Sequence, residues 1–354
     1  MPGNVSMGHA GGRPRVWRPL LAALLLAFGA LVPAPAAAGD SAVVIMYHRF
    51  GESAYPSTNT TAEQLDTQLQ ELRSGAYTVM SLPDIVTAVQ AGKPLPDRAV
   101  GLSVDDAFLS VYRNAWPKLR AAGYPFTLFV ATDAIDRGLA GYMNWDQIRE
   151  LRDAGVTIGS QTAAHPHMAA ASRERNVREL QKSNARFKEE LGEIPTLFAY
   201  PYGESSLAVE AAVKDMGFIA AFGQHSGAFD SSENMFYLPR FAMNENYGDL
   251  GRFKLAANAL PLPTKEFVPA DTLVARGNNP PAIGFTVAGK FRGLSRLACY
   301  TSHEGKIEVM VLGDTRVEAR MSKAMPKGRG RLNCTLPAGG GRWHWLGRQF
   351  YVAE

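Results

Sequence analysis

The sequence predicts an α/β protein with a parallel sheet or barrel, followed by a small all-β module resembling a sandwich. Three observations carry this. Short apolar runs alternate with amphipathic helical stretches from residue 43 to 222, the pattern of strands that need crossover helices. A proline-rich break follows at 261–281. Beyond it come strand-like runs separated by Gly and Pro, with no helical signal between them.

The predicted strands of the first part are Val43–Tyr47, Ala99–Val104, Pro125–Ala131, Val156–Gly159, Thr196–Tyr200 and Phe218–Phe222. Their helices carry start and stop signals. Thr61 and Gln64 form a capping-box pair, Leu65, Leu69 and Leu72 share one face, and Gly75 ends the run. Asn144 and Gln147 repeat the box before Ile148 and Leu151, with Gly155 as the stop. Ser172 opens a longer helix whose apolar stripe is Val177, Leu180, Phe187 and Leu191. In the last part the predicted strands are Ile283–Val287, Arg296–Thr301, Lys306–Leu312, Thr315–Arg320, Gly330–Leu336 and Trp343–Val352. Five prolines (Pro261, Pro263, Pro269, Pro280 and Pro281) mark the intervening stretch as a linker or strap.

Composition sets the class. With 354 residues, 46% hydrophobic and 20% charged, the chain can build one or two ordinary cores and is neither disordered nor disulfide-dense. The net charge of +4 is unevenly spread. Residues 39–279 carry 22 basic and 28 acidic side chains, whereas 280–354 carry 12 and 5. An acidic body with a basic tail is not the footprint of a nucleic-acid binder; it suggests two domains with different surfaces.

The first 38 residues read as a secretory signal. Arg13, Arg15 and Arg18 precede thirteen apolar residues, Leu20 to Val32, and Ala36-Ala37-Ala38 offers small residues for cleavage. The run is shorter than the roughly 20 residues a membrane span requires. The mature chain is thus expected to be exported, periplasmic or secreted, with no stable membrane span. Export permits a disulfide between Cys299 and Cys334, the only two cysteines. The expected organisation is a signal at 1–38, an α/β domain at 39–260, the proline-rich linker at 261–281 and a basic all-β domain at 282–354.

In a parallel α/β protein, functional groups collect past the carboxyl ends of the strands. Here that rule selects His48, Asp105 and Asp106, Gln161 and His165, the turn Pro201-Tyr202-Gly203, and Gln224 with His225. Any one has a plain explanation as a helix cap or loop residue; five sites in register are harder to dismiss. Two adjacent carboxylates diverge from an extended backbone, so one of the Asp pair can bind a cation while the other stays free as a base. His165 can add a nitrogen ligand. A cation with open positions activates water and polarises a carbonyl. His48 can protonate a leaving group, and a backbone N–H at Tyr202 can stabilise an oxyanion. The set suits hydrolysis of an amide or ester.

Four motifs in order, Val44-Ile45-Met46-Tyr47-His48-Arg49, Ser103-Val104-Asp105-Asp106, Ile158-Gly159-Ser160-Gln161-Thr162 with His165-Pro166-His167, and Phe198-Ala199-Tyr200-Pro201-Tyr202-Gly203, resemble the polysaccharide deacetylases of carbohydrate esterase family 4. The resemblance covers roughly residues 43–245. It implies a distorted (β/α) barrel that uses a divalent metal, usually zinc, to remove acetyl groups from N-acetylglucosamine-containing polymers. By position it makes Asp105 the general base, Asp106 and His165 metal ligands, and Tyr202 the oxyanion donor, with Pro201 and His225 at the substrate. The opening Met-Tyr-His is similar to the subgroup acting on exported poly-N-acetylglucosamine, which assigns His48 as general acid. Leu238-Pro239-Arg240 is also like that subgroup, with Arg240 orienting the base. The leucine-x-His motif of other subgroups has no counterpart.

One departure stands out. The family's first metal histidine is Gln161 here, and an amide oxygen is a weaker ligand than imidazole. Gln161 can still ligate, opening the site to cobalt, nickel or manganese. Alternatively, His167 or His225 supplies the nitrogen, or the domain has become a non-catalytic glycan binder. An O-acetyl esterase is a further alternative. The β module can hold glycan through Trp343, Trp345 and Tyr351, unless these aromatics pack its core.

Overall fold

Alternation of β-branched runs and capped helices produces a parallel sheet in this protein, seen in a computed structural model that describes residues 1–12, 38–75 and 77–353. The arginines and apolar run of the expected signal, residues 13–32, lie outside the described residues. From one edge the order is Ala220–Phe222, Leu197–Ala199, Thr157–Ser160, Thr127–Val130, Ala99–Val104, Ala42–Tyr47 and Ala228–Phe229. All neighbours but the last pair are parallel. The Ala42–Tyr47 and Ala99–Val104 strands run in register along their full length and are buried on both faces, which is why they read as unbroken apolar runs.

The sheet curls into a distorted barrel. Leu238 bridges to Phe222, and Phe241–Ala242 pairs in parallel with Ile45 and Met46. The segment 238–242 therefore spans the gap between the first and last strands and carries Arg240 into the interior.

Helices cover this barrel as their local chemistry dictates. The capping boxes at Thr61 and Asn144 both form, opening helices Ala62–Ser74 and Trp145–Asp153. Ser172 caps Arg173–Leu191, whose Leu180, Phe187 and Leu191 are buried. Each such cap satisfies orphan N–H groups and contributes about 1 kcal/mol.

The C-terminal strands build a second nine-stranded sheet. Strand Gly305–Leu312 pairs through its first residues with Ala298–Thr301 and through Glu308 to Leu312 with Arg316–Arg320. This hand-over lets the sheet fold into two halves around a core that includes Phe285, Leu332 and Phe350, a sandwich-like arrangement. The proline-rich stretch lies along this module as strands. Leu260–Pro261 and Leu273–Val274 pair with Arg342–Val352, and Thr264–Val268 pairs with Ile283–Val287. The described residues from 38 onward form one compact unit.

Strand Arg342–Val352 lies in the second sheet and touches the barrel. Trp345 packs edge-on against Phe241 of the barrel at 5.2 Å and donates its indole N–H to Asn333. It is a packing residue between the two sheets.

Cys299 and Cys334 face each other across adjacent strands and are joined as a disulfide with a sequence separation of 35 residues. Chain-entropy arguments for a loop of that size give about 3–4 kcal/mol of stabilisation. The Cys299→Ser/Cys334→Ser double variant should lower the free energy of urea unfolding by about that amount; an unchanged midpoint would count against the bridge as a stabilising link.

Candidate active site

Because the strands are parallel, His48, Asp105, Asp106, Gln161, His165 and Tyr202 follow strands at the same end of the barrel, and Arg240 reaches Asp105 with its side chain from the start of Phe241–Ala242. Asp105 continues the ladder of its strand, its N–H bonding to the Tyr47 carbonyl at 2.9 Å. At Asp106 the backbone turns to φ 73°, so the two carboxylates diverge. Among the described residues seven non-glycine positions have positive φ, and five (Asp106, Ala107, Thr162, His165 and Tyr202) lie here. Such conformations cost on the order of 1–3 kcal/mol each and persist where surrounding structure over-determines them.

Asp105 and Arg240 are both fully buried. Arg240 grips the carboxylate through both terminal nitrogens, at 2.6 and 2.8 Å, and donates further to Ser103 Oγ and the Gly223 carbonyl. His48 Nε2 lies 3.9 Å from Asp105 Oδ2. Of these three side chains only His48 reaches solvent, at 14% exposure.

On the other side, Asp106 Oδ1 and His165 Nε2 are 3.5 Å apart. Two ligands each about 2.1 Å from a tetrahedral cation stand at about this separation, so the pair fits adjacent positions around one ion. Burial lowers the His165 pKa, with the neighbouring Asp106 opposing it, and this favours the neutral, ligating imidazole. Gln161 is fully buried beside them. Its Oε1 accepts from the Asp106 N–H at 3.3 Å, and its Nε2 has no hydrogen-bond partner. An amide oxygen has a second lone pair, so Gln161 Oε1 keeps one accepting position. Among the described residues no three His, Cys, Asp or Glu side chains converge on one point.

Of the two histidines weighed as substitutes, His167 is engaged elsewhere. His167 Nδ1 pairs with Glu204 at 2.8 Å, and its ring stacks on Tyr202 at 4.2 Å. His225, expected at the substrate, is 1% exposed and packs against Tyr237 at 4.4 Å, with neither ring nitrogen partnered.

Asp106, His165 and Tyr202 line a cleft of about 370 Å³ whose opposite wall is Ala131, Leu139 and Tyr142. Pro201 is buried at the start of the turn; Tyr202 has φ 58° and ψ 6°, with its ring edge-on to His165 at 4.5 Å. Sequence reasoning missed Tyr142, Glu204 and Gln349, whose amide donates to the Tyr202 carbonyl at 2.9 Å. Glu204 follows the Pro-Tyr-Gly turn directly, a position that could have flagged it. Tyr142 and Gln349 carry no local signal.

The fold is of the polysaccharide deacetylase type. A family model described as Polysaccharide deacetylase matches residues 92–221. It is 23% identical over 235 residues to the poly-beta-1,6-N-acetyl-D-glucosamine N-deacetylase of Staphylococcus aureus, covering 58% of this chain and 80% of that one. Among solved structures, IcaB from Ammonifex degensii matches with a TM-score of 0.56 at 24% identity, over 62% of this chain and 97% of its own. The Streptococcus pyogenes deacetylase PplD matches at 0.55 and 21%, over 58% and 94%.

Burial holds the His225 pKa well below its ordinary value, with Arg348 and Arg240 adding repulsion. Below pH 6.5 the unfolded chain therefore binds a proton that the folded chain refuses, and stability falls as pH falls, by up to about 1.4 kcal/mol per pH unit. His225→Phe should flatten the loss of unfolding free energy below pH 6.5. Parallel curves for variant and wild type would show that His225 is not the titrating group.

Proposed function

We propose that this chain is an exported, metal-dependent deacetylase that removes N-acetyl groups from an amino-sugar polysaccharide of the envelope or exopolysaccharide. One observation carries the reading: the Asp106–His165 pair lines a cleft, and the neighbouring Asp105 is held in a fully buried pair with Arg240 beneath it. The activity for which the staphylococcal relative is named supports the choice of N-acetylglucosamine polymer. Among the described residues no helix is long and apolar enough to cross a membrane; export rests on the N-terminal sequence.

Asp106, His165 and Gln161 would hold the metal, zinc in the family's usual case. With Gln161 as a neutral third donor, cobalt, nickel or manganese also suit the set. When bound, the metal supplies Lewis acidity toward an amide carbonyl and lowers the pKa of water. Asp105 takes the proton of the attacking water. Arg240 fixes its carboxylate while leaving lone pairs on both oxygens. His48 returns a proton to the departing amine, and the Tyr202 N–H donates to the oxygen that gains charge. Ala131, Leu139 and Tyr142 give the acetyl methyl an apolar wall. Each of these roles lies within the ordinary repertoire of acid–base hydrolysis.

A second reading is favoured by burial. Asp105 is fully enclosed whereas His48 meets solvent, so His48 can act as the base with Asp105 orienting its ring, the logic of a carboxylate–histidine relay. An aryl acetate, whose leaving group needs no protonation, separates the two. If His48 is only the acid, His48→Ala keeps aryl acetate hydrolysis within about tenfold while N-acetyl turnover falls about 10²–10⁴-fold. Equal loss on both substrates would make His48 the base.

Acetate release from N-acetylglucosamine oligomers should stop on chelation and return with one divalent metal. Asp105→Asn should abolish turnover with metal still bound, and Asp106→Asn should lose both. Gln161→His should raise metal affinity while activity survives. Unchanged affinity in that variant would remove Gln161 from the metal shell.

A further inference from the structure

Tyr202 holds a left-handed backbone that costs an ordinary side chain roughly 1–2 kcal/mol, so neighbouring contacts must hold it. The carbonyl oxygens along the turn show which. Tyr202 O accepts from Gln349 Nε2 at 2.9 Å, and Ser205 O accepts from Thr272 Oγ1 at 2.8 Å. Gly203 O accepts from the Tyr237 hydroxyl at 3.1 Å, which is equally close to the Gln349 carbonyl. Gln349 lies in strand Arg342–Val352, and Thr272 directly precedes strand Leu273–Val274. Both belong to the second sheet.

The direction of the Gln349 amide is fixed by chemistry. Its Oε1 accepts from Arg331 Nε at 3.1 Å, and a guanidinium can only donate. Its NH₂ must therefore face the Tyr202 carbonyl, which can only accept. The side chain is 1% exposed, so water does not compete for either bond. Two glycines permit the close approach. A Cβ on Gly347 would lie 2.0 Å from the Ser226 carbonyl, and one on Gly203 would lie 2.5 Å from Gln224 N.

We infer that the second sheet is part of the catalytic apparatus and that Gln349 is its positioning residue, holding the Tyr202 turn so that its N–H stays aimed at the reacting carbonyl. This rests on the deacetylase reading, in which Tyr202 donates to the oxyanion. By pulling the Tyr202 carbonyl to the second-sheet side, Gln349 sets the peptide plane on which the orientation of the turn depends. Misplacement of such a group by about 1 Å costs up to about 10²-fold in rate.

The test uses the full mature chain and three variants, Gln349→Leu, Gln349→Glu and Thr272→Val. Gln349→Glu keeps an acceptor for Arg331 but sets an oxygen against the Tyr202 carbonyl. For both Gln349 variants kcat on N-acetylglucosamine oligomers should fall about tenfold or more, with KM within about twofold and the melting temperature near wild type. Amide hydrogen exchange in the peptide covering 200–206 should accelerate, while the rest of the second sheet stays protected. Thr272→Val should do the same more weakly, and it decides the matter if the Gln349 variants fail to fold. Unchanged kcat and unchanged exchange in the folded variants would overturn the inference, as would a loss confined to KM. A wild-type chain that releases no acetate overturns the deacetylase reading alone. The exchange data would still decide whether Gln349 holds the turn.

Discussion

The buried pair of Asp105 and Arg240 is the constraint on which the site depends. Removing two charges from water is expensive, and the attraction recovers that cost only with close geometry and every donor satisfied. Arg240 meets both demands, with two bonds to the carboxylate and others to Ser103 and Gly223. The pair fastens the end of the central strand to the segment that closes the barrel. Because Asp105 is fixed inward, the reversal of the backbone at Asp106 delivers the second carboxylate into the cleft. One ion pair thus closes the sheet and separates the two acids into different environments.

Strain gathers around that pair. Asp106, Thr162, His165 and Tyr202 all adopt positive φ, although none is a glycine. Each loop leaves a strand of the close-packed parallel sheet and leads into a helix, so its backbone is set by the frame rather than by local preference. Side chains of ordinary flexibility then arrive in the cleft with little freedom left to lose on substrate binding.

Contacts between the two sheets blur the boundary suggested by the proline-rich stretch. Trp345 packs on the barrel, Gln349 and Thr272 hold carbonyls of the Tyr202 turn, and the stretch itself contributes strands to the second sheet. The basic charge of the module does not by itself describe its role. Arg331 is directed at Gln349, and Arg348 pairs with Glu233 of the barrel at 3.0 Å.

Much of this was legible from the chain alone, and for identifiable reasons. Capping boxes at Thr61 and Asn144, the run Ala99–Val104 and the register of His48, Asp105, His165 and Tyr202 at strand ends are written in local sequence. Periodicity and turn chemistry act over a few residues. The partners of those residues were decided only by tertiary structure. Burial of His225 and the engagement of His167 by Glu204 depend on how loops pack, and the grip of Gln349 on a turn 147 residues away depends on how one sheet meets another. Sequence records which groups stand at the ends of strands; which of them meet is fixed by the curl of the sheet and by close packing of chain segments far apart in sequence.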